Sequence, residues 1–114
     1  MKYYLIAGEA SGDLHGSHLM KGIREADKNA DFRYFGGDLM NAQGGKLVRH
    51  YREMAFMGVV KVLLNLSIIR RNLKLCRADI LEFQPDAVIL IDFPGFNLRI
   101  AKYVKKKGFS RVFY

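Results

Sequence analysis

With 114 residues, half of them hydrophobic and 26% charged, the chain can bury one core without disulfides or metals and is too apolar to be a disordered tail. The net charge of +8 points to an anionic partner: nucleic acid, phospholipid head groups or a phosphorylated substrate. The single cysteine excludes an internal disulfide, and the first apolar run is too short for a secretory signal core, so the expected location is the cytoplasm.

In chain order, residues 3–7 form a short apolar run closed by Gly8, the pattern of a buried parallel strand. Gly16, Leu19, Met20, Ile23 and Ala26 follow at helical spacing, with Ser11 or Asp13 placed to cap the helix start. Residues 32–35 predict a second strand stopped by Gly36 and Gly37, residues 39–42 a short helix, and residues 47–51 a weaker strand. From Gly58 to about Phe83 the residues Val62, Leu66, Ile69, Leu73, Cys76, Ile80 and Phe83 alternate spacings of four and three, which predicts one long helix, or two in tandem, with a core-facing stripe. Cys76 within that stripe reads as an inert buried thiol. Pro85 ends the helix. Residues 87–91 predict a central parallel strand closed by Asp92 and a Pro-Gly turn, followed by a helix over 97–107 and a strand beginning at 111.

Strands alternating with helices predict an α/β fold, a doubly wound parallel sheet whose ligands lie beyond the carboxyl ends of the strands. A parallel strand at 111–114 needs further elements to cover it, so residues 1–114 are expected to be part of a larger unit.

Two loops leave such strand ends. The first, Gly8-Glu9-Ala10-Ser11-Gly12-Asp13-Leu14-His15-Gly16, has glycines at intervals of four and no lysine, so it is neither a dinucleotide fingerprint nor a P-loop. Glu9 and Asp13 would repel a phosphate and accept hydrogen bonds from sugar hydroxyls. A tight turn in which Ser11 and Asp13 serve only as caps fits the same spacing equally well. The second loop, Asp92-Phe93-Pro94-Gly95-Phe96-Asn97, begins with a carboxylate at the end of an interior strand, where it is costly without a partner or a task. A functional role leads there, with capping of a neighbouring helix as the alternative, and Asn97 is expected to cap the following helix, with ligand contact as its alternative. His15 and His18 lie three apart without further ligands of suitable spacing, so no metal site is expected. Gly36-Gly37-Asp38 reads as a plain turn that a sugar could also approach.

Residues 57–69 are apolar on more faces than a core stripe needs: Val59, Val60, Leu63, Leu64 and Ile68 flank it, and Arg70, Arg71, Lys74 and Arg77 follow directly. The run is too short to span a bilayer, which takes about 20 apolar residues. An apolar face with a cationic flank suits a helix in a membrane interface or against acyl chains, with a subunit or domain contact close behind.

The loop Ala7-Gly8-Glu9-Ala10-Ser11-Gly12-Asp13 resembles the amino-terminal signature of lipid-A-disaccharide synthases. Gly36-Gly37, Met57-Gly58-Val59-Val60 and Ile91-Asp92-Phe93-Pro94-Gly95-Phe96-Asn97 follow in the family's order, so the resemblance covers essentially the whole chain. It implies the Rossmann-like amino-terminal portion of a GT-B glycosyltransferase, carrying the acceptor and lipid contacts, with the uridine nucleotide held by a second domain. It further implies inverting transfer of 2,3-diacylglucosamine from UDP-2,3-diacylglucosamine to 2,3-diacylglucosamine 1-phosphate without metal or cofactor. The place would be the cytoplasmic face of the inner membrane in Gram-negative bacteria, with no nucleic acid as partner and a homo-oligomer left open. By this resemblance Asp92 is the base with Glu9 in reserve, and Gly8, Ser11, Gly12, Asp13, Gly37, Gly58 and Asn97 contact substrate. Val59, Val60, Leu63, Leu64, Ile68, Arg70 and Arg71 would meet the membrane or acyl chains. The chain departs from the family pattern at Gly95 and Lys61, where acidic residues are frequent, so neither position takes an acidic role.

Overall fold

The computed structural model describes residues 1–54 and 62–114, and of residues 62–65 the backbone alone. Gly58, Val59 and Val60 therefore lie outside the described residues, as do the side chains of Leu63 and Leu64.

The elements alternate as β1 (Lys2–Ala7), α1 (Ala10–Ala26), β2 (Asp31–Gly36), α2 (Asp38–Ala42), β3 (Lys46–His50), a 3-10 turn (Tyr51–Glu53), α3 (Val62–Phe83), β4 (Ala87–Ile91), α4 (Pro94–Lys106) and β5 (Val112–Phe113). The five strands form one all-parallel sheet in the order β3-β2-β1-β4-β5. Because strand side chains alternate between faces, β1 feeds two cores. Tyr4 and Ile6 join Phe35, Val88 and Leu90 beneath α3 and α4, where Leu73, Cys76, Ile80, Phe83, Phe96, Ile100 and Val104 complete one core. Leu5 and Ala7 join Phe32 and Tyr34 beneath α1 and α2, where Met20 and Met40 complete the other. β4 is flanked on both sides, by β1 and β5, which explains its uninterrupted apolar run.

Three expectations are corrected. Neither Ser11 nor Asp13 caps α1, which starts at Ala10 with Glu9 in the cap position and no side-chain cap bond. Pro94-Gly95 is the first turn of α4 and not a separate turn, because proline's missing N–H and fixed φ suit the first helical position; the helix therefore starts three residues before Asn97. The core stripe of α3 does not extend evenly to Leu66, which is 42% exposed, whereas Leu73, Cys76, Ile80 and Phe83 are buried.

On α1 the buried face is made of small groups: Gly12, Asp13, Gly16 and Ser17, together with Met20. A Cβ on Gly12 would stand 3.1 Å from that of Ala7, and one on Gly16 would overlap the Met40 thioether, so the helix lies closer to the sheet and to α2 than larger residues allow. On the opposite face Arg33 of β2 reaches Asp79 of α3 at 2.8 Å, and its guanidinium lies over the Phe83 ring.

The Cys76 thiol is fully buried, and burial pushes its pKa well above the ordinary 9.0. The native protein is expected to leave Cys76 unlabelled by a thiol reagent at pH 8 and to react fully once unfolded in denaturant. Because the folded state holds the thiol proton more tightly, the thiol's contribution to stability is complete below pH 9 and declines as pH rises further. Rapid labelling of the native protein would show that Cys76 is not buried.

Candidate functional site

The site is defined by a reversal in the sheet. β2 and β3 extend to one side of β1, and β4 and β5 to the other, so the connections leaving β1 and β4 diverge and open a crevice between two neighbouring strand ends. Ala7 and Ile91 are paired across these strands, and the next residues are Gly8-Glu9 on one side and Asp92-Phe93 on the other. Parallel strands run about 4.8 Å apart, so the two loops are direct neighbours. Glu9, Ser11 and Asp92 are exposed at this mouth.

The turn after β4 is built from two consecutive left-handed residues, Asp92 at φ 49° and Phe93 at φ 52°. Each costs roughly 1–2 kcal/mol for a non-glycine residue, so the surroundings must hold them. Phe93 turns its ring over Gly8, where any Cβ would overlap it, and packs at a tilt against Phe96, with ring centroids 5.4 Å apart. Gly8 is therefore required for steric reasons, as the seat of the Phe93 ring. Sequence reasoning missed Phe93: a place before proline favours extended backbone and gives no signal of a left-handed residue.

Asn97 is fully buried within α4 and caps nothing: its Nδ2 donates to the Asp92 carbonyl at 2.6 Å and lies 3.4 Å and 3.5 Å from the carbonyls of Ile6 and Ile91. Gly12 is buried against Ala7 and Ile91. Asp13 is 3% exposed and faces away from its own helix start. Its Oδ1 accepts from the Gly37 and Met40 amides at 2.9 Å and 3.0 Å, and its Oδ2 from the Leu39 amide at 3.0 Å. The carboxylate thereby caps α2 across 24 to 27 residues and fixes the Gly36-Gly37 turn, with Gly37 packed beneath Tyr51. With Asp13 committed to α2, the leading amides of α1 carry no side-chain cap and face the mouth beside Glu9.

On the far side of β1 the same edge carries His50, at the end of β3, 3.1 Å from Asp38. His50 Nδ1 accepts from the Arg52 amide, which assigns the neutral ring's proton to Nε2 and makes it the donor to Asp38. Sequence reasoning did not single out this pair. The mouth thus brings together Gly8, Glu9, Ser11 and Asp92, with Gly12, Asp13, Gly37 and Asn97 packed beneath or beside it as supports. His15 and His18 are exposed on α1.

Charge is divided between the two layers. The helices over one face carry Arg70, Arg71, Lys74 and Arg77 on α3 and Arg99, Lys102, Lys105 and Lys106 on α4, against only Asp79 and Glu82, and α4 has no acid at all. A groove of about 500 Å³ between them is lined by Leu73, Ala78, Leu81 and Tyr103 together with Arg70, Lys74 and Arg77, and the Arg77 guanidinium lies over the Tyr103 ring. Ile68 is half-buried, and Arg70 and Arg71 are exposed. Among the described residues, no helix is long and apolar enough to cross a membrane.

An all-parallel sheet in this order, covered on both faces and open at the reversal point, is a Rossmann-like α/β unit, a fold whose ligands bind at that point. The sequence profile of the family described as lipid-A-disaccharide synthetase matches residues 3–114, and the chain belongs to that family. It is 40% identical over 110 residues to a lipid-A-disaccharide synthase of Geobacter metallireducens and 38% identical over 110 residues to one of Trichlorobacter lovleyi, covering 96% of this chain and 29% of each relative. A third, from Chromohalobacter salexigens, is 37% identical over the whole chain, which covers 30% of that relative. The chain thus spans less than a third of the length of the curated relatives it matches.

Proposed function

We propose that this chain is the acceptor- and lipid-side part of an inverting glycosyltransferase that joins two acylated glucosamines. The acceptor is 2,3-diacylglucosamine 1-phosphate, the donor UDP-2,3-diacylglucosamine, and the uridine nucleotide is held by a second domain. In the reaction a hydroxyl of the acceptor attacks the anomeric carbon of the donor. The new carbon–oxygen bond forms as the bond to the UDP phosphate breaks on the opposite face, and a base removes the hydroxyl proton. Asp92 is that base, Glu9 is its alternative, and Ser11 with the uncapped amides of α1 orients sugar hydroxyls.

The observation that carries this reading is the exposure of two carboxylates, Glu9 and Asp92, on adjacent strand ends at the sheet's reversal point. Family membership supports the substrate class. The cationic α3–α4 layer with its apolar groove supports a phosphate-bearing, acylated substrate at a membrane surface, with Ile68, Arg70 and Arg71, and by extension Val59, Val60, Leu63 and Leu64, on the lipid side.

The test is transfer by the full-length protein, read by mass spectrometry of the disaccharide 1-phosphate. Product and UDP are expected in equal amounts from the two acylated substrates, unchanged by a metal chelator, and none from residues 1–114 alone. Transfer from a UDP-sugar lacking acyl chains at the same rate would reassign the protein to soluble substrates.

A further inference from the structure

We propose that Asn97 is a positioning residue for Asp92, acting on the turn that carries the carboxylate without touching the substrate; this rests on the reading of Asp92 as the base. Asn97 grips that turn twice. Its side-chain amide donates to the Asp92 carbonyl at 2.6 Å, and its backbone N–H donates to the Phe93 carbonyl at 2.9 Å. The two residues so held are the ones in the left-handed region, a conformation that persists in non-glycine residues only where neighbours over-determine it. The same amide lies 3.4 Å and 3.5 Å from the carbonyls of Ile6 and Ile91, so it also ties together the last turns of chain on β1 and β4.

At 0% exposure the side chain does not reach the mouth. Its Oδ1 is buried without a hydrogen-bond partner among the described residues, and turning the amide over would set that oxygen against three carbonyls. An orphaned buried acceptor is costly, so the position is explained by what the donor holds and not by a full set of bonds. What the donor holds is the backbone from which the Asp92 carboxylate projects.

The test is a double-substitution cycle in the full-length enzyme, with kcat and KM measured for Asn97→Ser, Asp92→Asn and the pair. Displacing a reacting group by about 1 Å can cost on the order of 10²-fold, and Asn97→Ser is expected to lower kcat on that scale with KM nearly unchanged. In the Asp92→Asn background the same substitution is expected to cost nothing further. Additive losses would overturn the proposal while leaving Asp92 as the base. A raised KM at unchanged kcat would overturn it in favour of substrate contact. Full turnover by Asp92→Asn alone would remove the base and the positioning role together, a result distinct from additivity. If the serine variant does not fold, Asn97→Ala, which removes the donor and sets no acceptor against the three carbonyls, is read by the same criteria.

Discussion

Replacing Asp13 by alanine is expected to destabilise the protein by about 3 kcal/mol, the largest effect of any single surface-remote polar substitution in the α1–α2 layer. The carboxylate serves three backbone amides at once, and hydrogen bonds to a charged group contribute roughly 1.5–3 kcal/mol each before the bonds compete with one another. Alanine leaves those amides without their acceptor at a site that is 3% exposed, and loss of a helix cap alone costs about 0.5–2 kcal/mol. Asparagine should fall between the two, because one oxygen can keep the Gly37 and Met40 amides while its NH2 group opposes the Leu39 amide. Thermal and urea melts of the three proteins decide it. An alanine variant within about 0.5 kcal/mol of the parent would mean that water replaces the carboxylate without cost.

Asp13 also marks the boundary of what the amino-acid sequence discloses. Local periodicity was enough to place every strand: the runs at β1 and β4 are apolar because both faces of the sheet are covered, and the stripe from Leu73 to Phe83 has the spacing of a helix lying on that sheet. The Glu9 and Asp92 loops were legible for the same reason, since a parallel sheet puts the ends of its strands on one edge. What local pattern does not encode is which distant backbone a polar side chain serves. Asp13 looked like a cap for its own helix and caps another, 24 residues on. Asn97 looked like a cap and instead braces the turn behind it. The Pro-Gly pair looked like a turn, whereas the left-handed residues are Asp92 and Phe93, and Pro94 already begins a helix. Leu66 fitted the periodicity of its helix and is 42% exposed, while the stripe from Leu73 to Phe83 is buried.

For the full-length enzyme, Asp92→Asn is expected to lower kcat by about 10²- to 10⁴-fold while leaving the fold and KM almost unchanged. The substitution removes proton acceptance and preserves shape, and Asp92 is exposed, so no packing is lost. In barrier terms the effect is roughly 3–5 kcal/mol, at about 1.4 kcal/mol for each factor of ten. Glu9→Gln supplies the contrast. Glu9 makes no cap bond to α1, so its carboxylate is as available at the mouth as that of Asp92, and distance along the chain does not separate the two candidates. What separates them is restraint. Asp92 sits on a turn clamped by Asn97 and by the packed Phe93 ring, whereas Glu9 is an exposed residue in extended conformation, φ −146°, ahead of a helix. A base must hold its geometry through the displacement, and a carboxylate on a fixed backbone loses less freedom in doing so. Glu9→Gln is accordingly expected to raise KM more than it lowers kcat, as for a group that orients a sugar hydroxyl. A larger loss of kcat in Glu9→Gln than in Asp92→Asn would exchange the two roles, and with Gly95 in place of an acid the Asp92 loop has no second carboxylate to take the proton.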